Sequence, residues 1–265
     1  MIYDCFMYMN EKEVLDIRLN ELNNIVDHFV AVEATTTHSG KPKPLHLQEM
    51  MEENDPIIAP FRDKITVVKA LIPVKEDAWI PENYQREQII HGLENLKDND
   101  ILLISDVDEI PSAGALDLLL NSSEGIGKNE HIVFKQWFFY YNFMLMKKDL
   151  CHGTALIRGR DLRKHGTKWF RDQRFTAPSY PNSGWHCSFF GGEDQISNKI
   201  KSFAHTEWNK DEFSNIDNIK LRVESGEDIF GRIGQLDELI PVPDHIPLPK
   251  HVTDNPRKYA HLLCS

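Results

Sequence analysis

Asp106 and Asp108 stand two residues apart, directly after the apolar run Ile101-Leu102-Leu103-Ile104-Ser105. In extended conformation that spacing points both side chains the same way. Two hard carboxylates converging beyond a strand end suit Mg²⁺ or Mn²⁺. An ion held there can clamp the diphosphate of a nucleotide and neutralise its charge as it leaves. An isolated Asp-x-Asp is often no more than a solvated turn. The apolar run before it and Ile110-Pro111 after it favour a built site.

Two other chemistries place Asp-x-Asp after a strand. Phosphatases of the haloacid-dehalogenase type carry it near the N-terminus, with Thr or Val two positions after the second Asp. Here Ile110 stands at that position, far into the chain, and no Gly-Asp-x-x-x-Asp follows. Nucleotidyltransferases need the same metal and nucleotide, but cradle the triphosphate on an early Gly-rich, basic loop. Residues 2–10 contain no glycine.

The elements around the motif read as an α/β protein. Residues 2–9 form an apolar strand, and Asn10 with Glu13 suggests a capping box opening a helix. Val14, Leu15, Ile17, Leu19, Leu22 and Ile25 give that helix an apolar face. Further strands are expected at residues 28–34, 65–71 and 100–105, with a helix over 82–96. Strands without polar alternation, separated by helices, imply a mostly parallel sheet buried on both faces. Ligands of such sheets bind beyond the carboxyl ends of the strands. Glu33, the basic loop holding His38, Lys41 and Lys43, and Asp106/Asp108 all fall just after strands. The second half is less regular: an aromatic-rich stretch at 132–146, short strands at 154–158, 183–190 and 199–204, a helix over 211–224, and a proline-rich tail from 241 that wraps the surface. The expectation is one domain over 1–265: a nucleotide-binding half (1–111), an acceptor half (112–240) and a tail (241–265).

Composition sets limits. The 265 residues, 41% hydrophobic and 27% charged, can bury a substantial core. A net charge of −11 disfavours nucleic acid and anionic membrane surfaces, and obliges any phosphate-bearing substrate to find local cations. Cys5, Cys151, Cys187 and Cys264 show no metal-ribbon spacing and read as reduced thiols. With no signal peptide or apolar span in view, the expectation is a cytoplasmic protein without a transmembrane segment.

Several strings together resemble glycosyltransferase family 17. They are Asp16-Ile17-Arg18-Leu19-Asn20-Glu21-Leu22, Val26-Asp27-His28-Phe29-Val30-Ala31-Val32-Glu33, Thr37-His38-Ser39-Gly40-Lys41-Pro42-Lys43-Pro44-Leu45, Ser105-Asp106-Val107-Asp108-Glu109-Ile110-Pro111 and Gly184-Trp185-His186-Cys187-Ser188. The resemblance implies a GT-A-type fold with a central, mostly parallel sheet flanked by helices. It also implies an inverting reaction, a glycan acceptor and a UDP-sugar donor, UDP-N-acetylglucosamine before others. A sugar-phosphate nucleotidyltransferase and a non-catalytic carbohydrate-binding protein are the rival readings.

The resemblance suggests roles, each with a plainer alternative. Asp108, helped by Asp106, is the metal candidate, and Glu109 supports it or is simply a helix-proximal acid. Glu33 is placed to accept hydrogen bonds from uracil or ribose, or is a surface carboxylate. His38, Lys41 and Lys43 close over phosphates, or form a solvated basic loop. Arg86 turns towards the nucleotide, or is an exposed helix residue, and Arg18 pairs with a carboxylate between elements. His205, after a short strand, and His186 are candidates for a late imidazole ligand of Mn²⁺. An inverting transfer needs one general base. Asp194, then Glu193, are the candidates, because Gly191-Gly192 before them permits close approach to a ligand; the alternative is a helix N-terminus. Trp137, Tyr140, Tyr141, Trp169 and Trp185 offer rings for sugars if exposed, and core packing if not. Cys187 reads as a buried thiol.

Overall fold

The computed structural model describes residues 1–73, 75, 77–122, 125–127, 131–232 and 238–263. Among these run strands β1 (Ile2–Tyr8), β2 (His28–Ala34), β3 (Ile65–Ala70), β4 (Ile101–Asp106), β5 (Glu109–Pro111), β6 (His131–Tyr140), β7 (Asn142–Lys147), β8 (Cys151–Arg158), β9 (Ser179–Tyr180), β10 (Gly184–Ser188) and β11 (Leu239–Pro241). The helices are α1 (Lys12–Leu22), α2 (His46–Glu52), α3 (Trp79–Glu87), α4 (Ala113–Asn121), α5 (Gly159–His165), α6 (Thr167–Asp172), α7 (Gly192–Ser202), α8 (Asp211–Ser214), α9 (Ile216–Ser225), α10 (Lys250–Asp254) and α11 (Ala260–Leu263).

The strands join in the order β11-β7-β6-β8-β4-β1-β2-β3. β3, β2, β1 and β4 are mutually parallel, and β8 and β6 continue the sheet antiparallel. The fold is therefore α/β with helices flanking the sheet, and one sheet draws strands from both halves of the chain. Short β10 runs parallel to β6 and antiparallel to β5, which brings 184–188 beside the acidic motif. The β1, β2 and β4 side chains are buried on both faces: Phe6, Phe29, Ala31 and Leu103 in one cluster, Cys5, Val30, Val32 and Leu102 in another. This is the two-sided burial their unbroken apolar runs anticipate.

Several elements differ from the sequence reading. No Asn10 cap forms on α1; Glu11 accepts hydrogen bonds from the Met9 and Asn10 N–H groups instead. The helix expected over 82–96 begins at Trp79 and ends at Glu87, passing into a 3₁₀ turn. The aromatic stretch is a hairpin, turned by Tyr141 at φ 68°. The strand expected at 199–204 is instead the end of helix α7. There Ile196 and Ile200, four apart, supply the buried stripe. The tail packs into the body of the protein: Ile246, Val252, Tyr259 and Leu262 are buried in one cluster with Trp185, Trp185 Nε1 donates to the Pro247 carbonyl at 2.6 Å, and the Tyr259 hydroxyl donates to Asp16. Cys264 lies outside the described residues. No helix among the described residues is long and apolar enough to cross a membrane.

Candidate active site

Arg18, on α1 and fully buried, holds the motif in place. It donates twice to Asp4, at 2.6 and 2.8 Å, and once to the Ser105 hydroxyl at 2.7 Å. Its Nη1 reaches the carbonyls of Asp106, Val107 and Glu109 at 3.0–3.1 Å. Thr154 donates to the Glu109 carbonyl and the Cys187 N–H to that of Asp108, at 2.9 and 2.8 Å. Every carbonyl from Asp106 to Glu109 thus has a donor from another element. The turn is fixed from beneath, leaving the Asp106 and Asp108 carboxylates facing outward.

They face a cavity of about 750 Å³, within the range of small-molecule sites. Arg86 from α3 reaches Asp106 Oδ1 at 3.1 Å, and Arg171 from α6 reaches Oδ2 at 2.8 Å. Arg171 also grips both oxygens of buried Glu109, at 2.7 and 2.9 Å, while Glu109 accepts from the Asp106 N–H. Burial alone would raise the pKa of Asp106. The Arg171 and then the Arg86 charges outweigh it and hold the carboxyl well below the usual range. Burial likewise opposes ionisation of Asp108, and Lys199, 2.6 Å away, with His186 reverses the balance to a lowered pKa.

The structure brings together Asp106, Asp108, His38, Arg86, His186 and His205, all lining this cavity. His38 hydrogen-bonds Gln85 through Nε2 at 2.8 Å, and its backbone N–H donates to the Ser202 carbonyl. The His186 ring stacks on Phe138 at 4.4 Å, with Nε2 3.7 Å from Asp108 Oδ2. His205 sits at the rim after a helix rather than a strand, 2.8 Å from Glu207 and edge-on to Trp79.

Other candidates lie elsewhere. Glu33 is wholly buried, accepting from Leu47 N–H, Gln48 N–H and Lys43 Nζ at 3.0–3.2 Å; it anchors the start of α2 and does not line the cavity. Its oxygens are already committed, so a base or ribose contact has no acceptor left to use. Lys43 lines the wall, but Lys41 is exposed outside it. Glu109 and Trp185 are buried behind the lining. Glu193 and Asp194 occupy the first turn of α7, away from the cavity. Gly191 and Gly192, at φ 103° and 82°, serve the turn into that helix. The geometry takes the helix-terminus alternative for these two acids.

The sequence reading missed Arg171, Arg174, Lys199, Glu11, Glu82, Asp172, Trp79 and Phe175, all of which line the cavity. Arg171 and Arg174 are three apart, a spacing that places both on one side of a helical turn. Lys199 was hidden by the strand reading of its segment. Of the five aromatics singled out, Tyr140 alone lines the wall, and it is buried. The open rings at the mouth are Trp79 and Phe175, 42% and 66% exposed.

What fold and site define is an α/β protein with a cation-rich cavity beyond its parallel strand ends. The family model described as "Glycosyltransferase family 17" matches residues 1–265, and the chain belongs to that family. Two relatives bear the name beta-1,4-mannosyl-glycoprotein 4-beta-N-acetylglucosaminyltransferase. The rat protein is 25% identical over 96% of this chain and 53% of its own length. The human one is 28% identical over 73% of this chain and 41% of its own. This chain therefore spans about half the length of the curated relatives it matches. Among solved structures, a Francisella tularensis 2-C-methyl-D-erythritol 4-phosphate cytidylyltransferase aligns with TM-score 0.35 at 11% identity, over 71% of this chain and 90% of its own. A T. maritima inositol-1-phosphate CTP transferase aligns with TM-score 0.38 at 10% identity, over 71% of this chain and 86% of its own.

Proposed function

We propose that this chain transfers a sugar, N-acetylglucosamine before others, from a UDP-sugar to a glycan hydroxyl with inversion, on a GT-A-type scaffold. One observation carries the reading. Asp106 and Asp108 converge with Arg86, Arg171, Arg174 and Lys199 in a single cavity of a chain whose net charge is −11. Cations concentrated against the overall charge suit a diphosphate. The names of the relatives supply the sugar and a mannosyl acceptor as first choices.

The donor set fits a divalent cation in part. Among the described residues no three His, Cys, Asp or Glu side chains gather into a cage. Magnesium-type sites commonly use one or two carboxylates and complete their shell with substrate phosphates and water. Asp108 and His186 would hold such an ion, whereas both oxygens of Asp106 are engaged by arginines. When bound, it would supply Lewis-acid neutralisation of the departing diphosphate.

The chain's own residues divide the remaining work. Arg86 and Arg171 fix Asp106, and Lys199 fixes Asp108, so both carboxylates meet an incoming ligand already oriented. Trp79 and Phe175 offer ring faces at the mouth for an acceptor sugar. Glu11, Glu82 and Asp172 are carboxylates within the cavity from which the general base is drawn.

The test is product analysis. UDP released from UDP-N-acetylglucosamine in step with glycoside formation on a mannosyl glycopeptide supports the reading. Pyrophosphate released from UTP and a sugar phosphate establishes a nucleotidyltransferase instead.

A further inference from the structure

Arg174 differs from its neighbours. Arg86 is held by Glu82 and Asp106, Arg171 by Asp106 and Glu109, Lys199 by Asp108, and Lys43 by Glu33. Arg174 lines the same wall, half-buried, yet its guanidinium has no carboxylate and no hydrogen-bond acceptor among the described residues. It lies over the Phe175 ring, with Cζ 4.7 Å from the centroid. Burial first, then the charges of Arg171 and Arg86, push its pKa below the ordinary arginine value, against the pull of Glu109 and Asp106. A partly desolvated cation without a partner, beside two like charges, is costly to keep.

We propose that Arg174 is the diphosphate-binding arginine of this cavity, taking the pyrophosphate bridge of a nucleotide donor. The proposal rests on the donor reading above. Three features favour a diphosphate as the missing partner. The guanidinium fork matches phosphate oxygens in pairs. The Phe175 ring holds the guanidinium stem, so little freedom remains to be lost when the anion arrives. Asp106 and Glu109, the two carboxylates whose charges reach Arg174, are already gripped by Arg171 and Arg86. Two negative charges placed here would relieve the repulsion among three arginines, which a neutral sugar would not.

Calorimetric titration of inorganic pyrophosphate, UDP and uridine into the wild type, R174A and R174K, with Mg²⁺ throughout, tests this. R174A should bind pyrophosphate and UDP about ten- to a hundredfold more weakly, the range expected for charge-assisted hydrogen bonds. Uridine binding should not change, and R174K should recover part of the loss. The melting temperature should hold, since Arg174 gives up no polar partner. Should R174A melt early, R174Q, which keeps a longer stem against Phe175, carries the comparison. Equal pyrophosphate affinity in wild type and a folded R174A or R174Q overturns the proposal. Wild type that binds pyrophosphate but not UDP removes the nucleotide reading and leaves the subsite standing. Wild type that binds UDP with no effect of R174A removes the subsite and leaves the nucleotide reading. Wild type that binds neither removes both.

Discussion

Lys199 Nζ lies 2.6 Å from Asp108 Oδ2 on the floor of the cavity. The lysine therefore occupies the carboxylate that the sequence assigns to a metal ion, and the two cations must share it. Unit charges about 4 Å apart interact by about 4 kcal/mol at an effective dielectric near 20, before solvent screening. Replacing Lys199 by Met should tighten Mn²⁺ binding to the nucleotide-free protein by about tenfold or more, read by electron paramagnetic resonance titration. Unchanged Mn²⁺ affinity would show that the ion does not use Asp108.

Asp106 gives a pH prediction. Its folded pKa lies below the value near 3.9 of an unfolded chain. The stability it contributes is therefore fully present above that unfolded value and is lost as the pH falls through the folded one. Asp106→Asn removes the titrating group, so its melting temperature should fall less steeply than the wild type's below about pH 4. Parallel acid limbs in the two proteins would assign the acid sensitivity elsewhere.

Arg18 holds the motif turn from a fully buried position. Arg18→Met leaves the Asp4 carboxylate unpaired and strips the Asp106 and Val107 carbonyls of their donor, while Glu109 keeps Thr154. Breaking one side of a buried pair costs roughly 3–5 kcal/mol, so denaturant unfolding should show a loss of that order. Arg18→Lys keeps the charge but lacks the fork, and should recover only part of it.

The position of α7 bears on the general base. Asp194→Asn and Glu193→Gln alter exposed or half-exposed groups outside the cavity and should leave transfer within about twofold. Each should cost roughly 0.3–1 kcal/mol in stability through the lost charge at the helix N-terminus. Among Glu11→Gln, Glu82→Gln and Asp172→Asn, one should keep UDP binding and lose transfer. A turnover loss confined to Asp194→Asn would restore that residue as the base.

The fold was largely legible in the sequence because strands buried on both faces write their burial as unbroken apolar runs. The motif was legible for the same reason: Asp106 follows such a run. Lys199 and the α7 acids were not, because residues 196–204 carry too few apolar positions to separate a strand from the end of a helix. Glu33 was misleading for a different reason. It does stand near the end of β2, but only the three-dimensional course of the chain brings the Leu47 and Gln48 N–H groups and Lys43 onto it. Glu82, four residues before Arg86, is a local partner that helical spacing offers, but the Asp106 contact of Arg86 and both partners of Arg171 are non-local, and no single-chain pattern announces them.

Calorimetric titration of UDP with Mn²⁺ into wild type and Asp108→Ala tests the central claim most directly. Binding to the wild type should be saturable, and it should be lost in a variant that still melts cooperatively. Equal UDP affinity in the two proteins would contradict it.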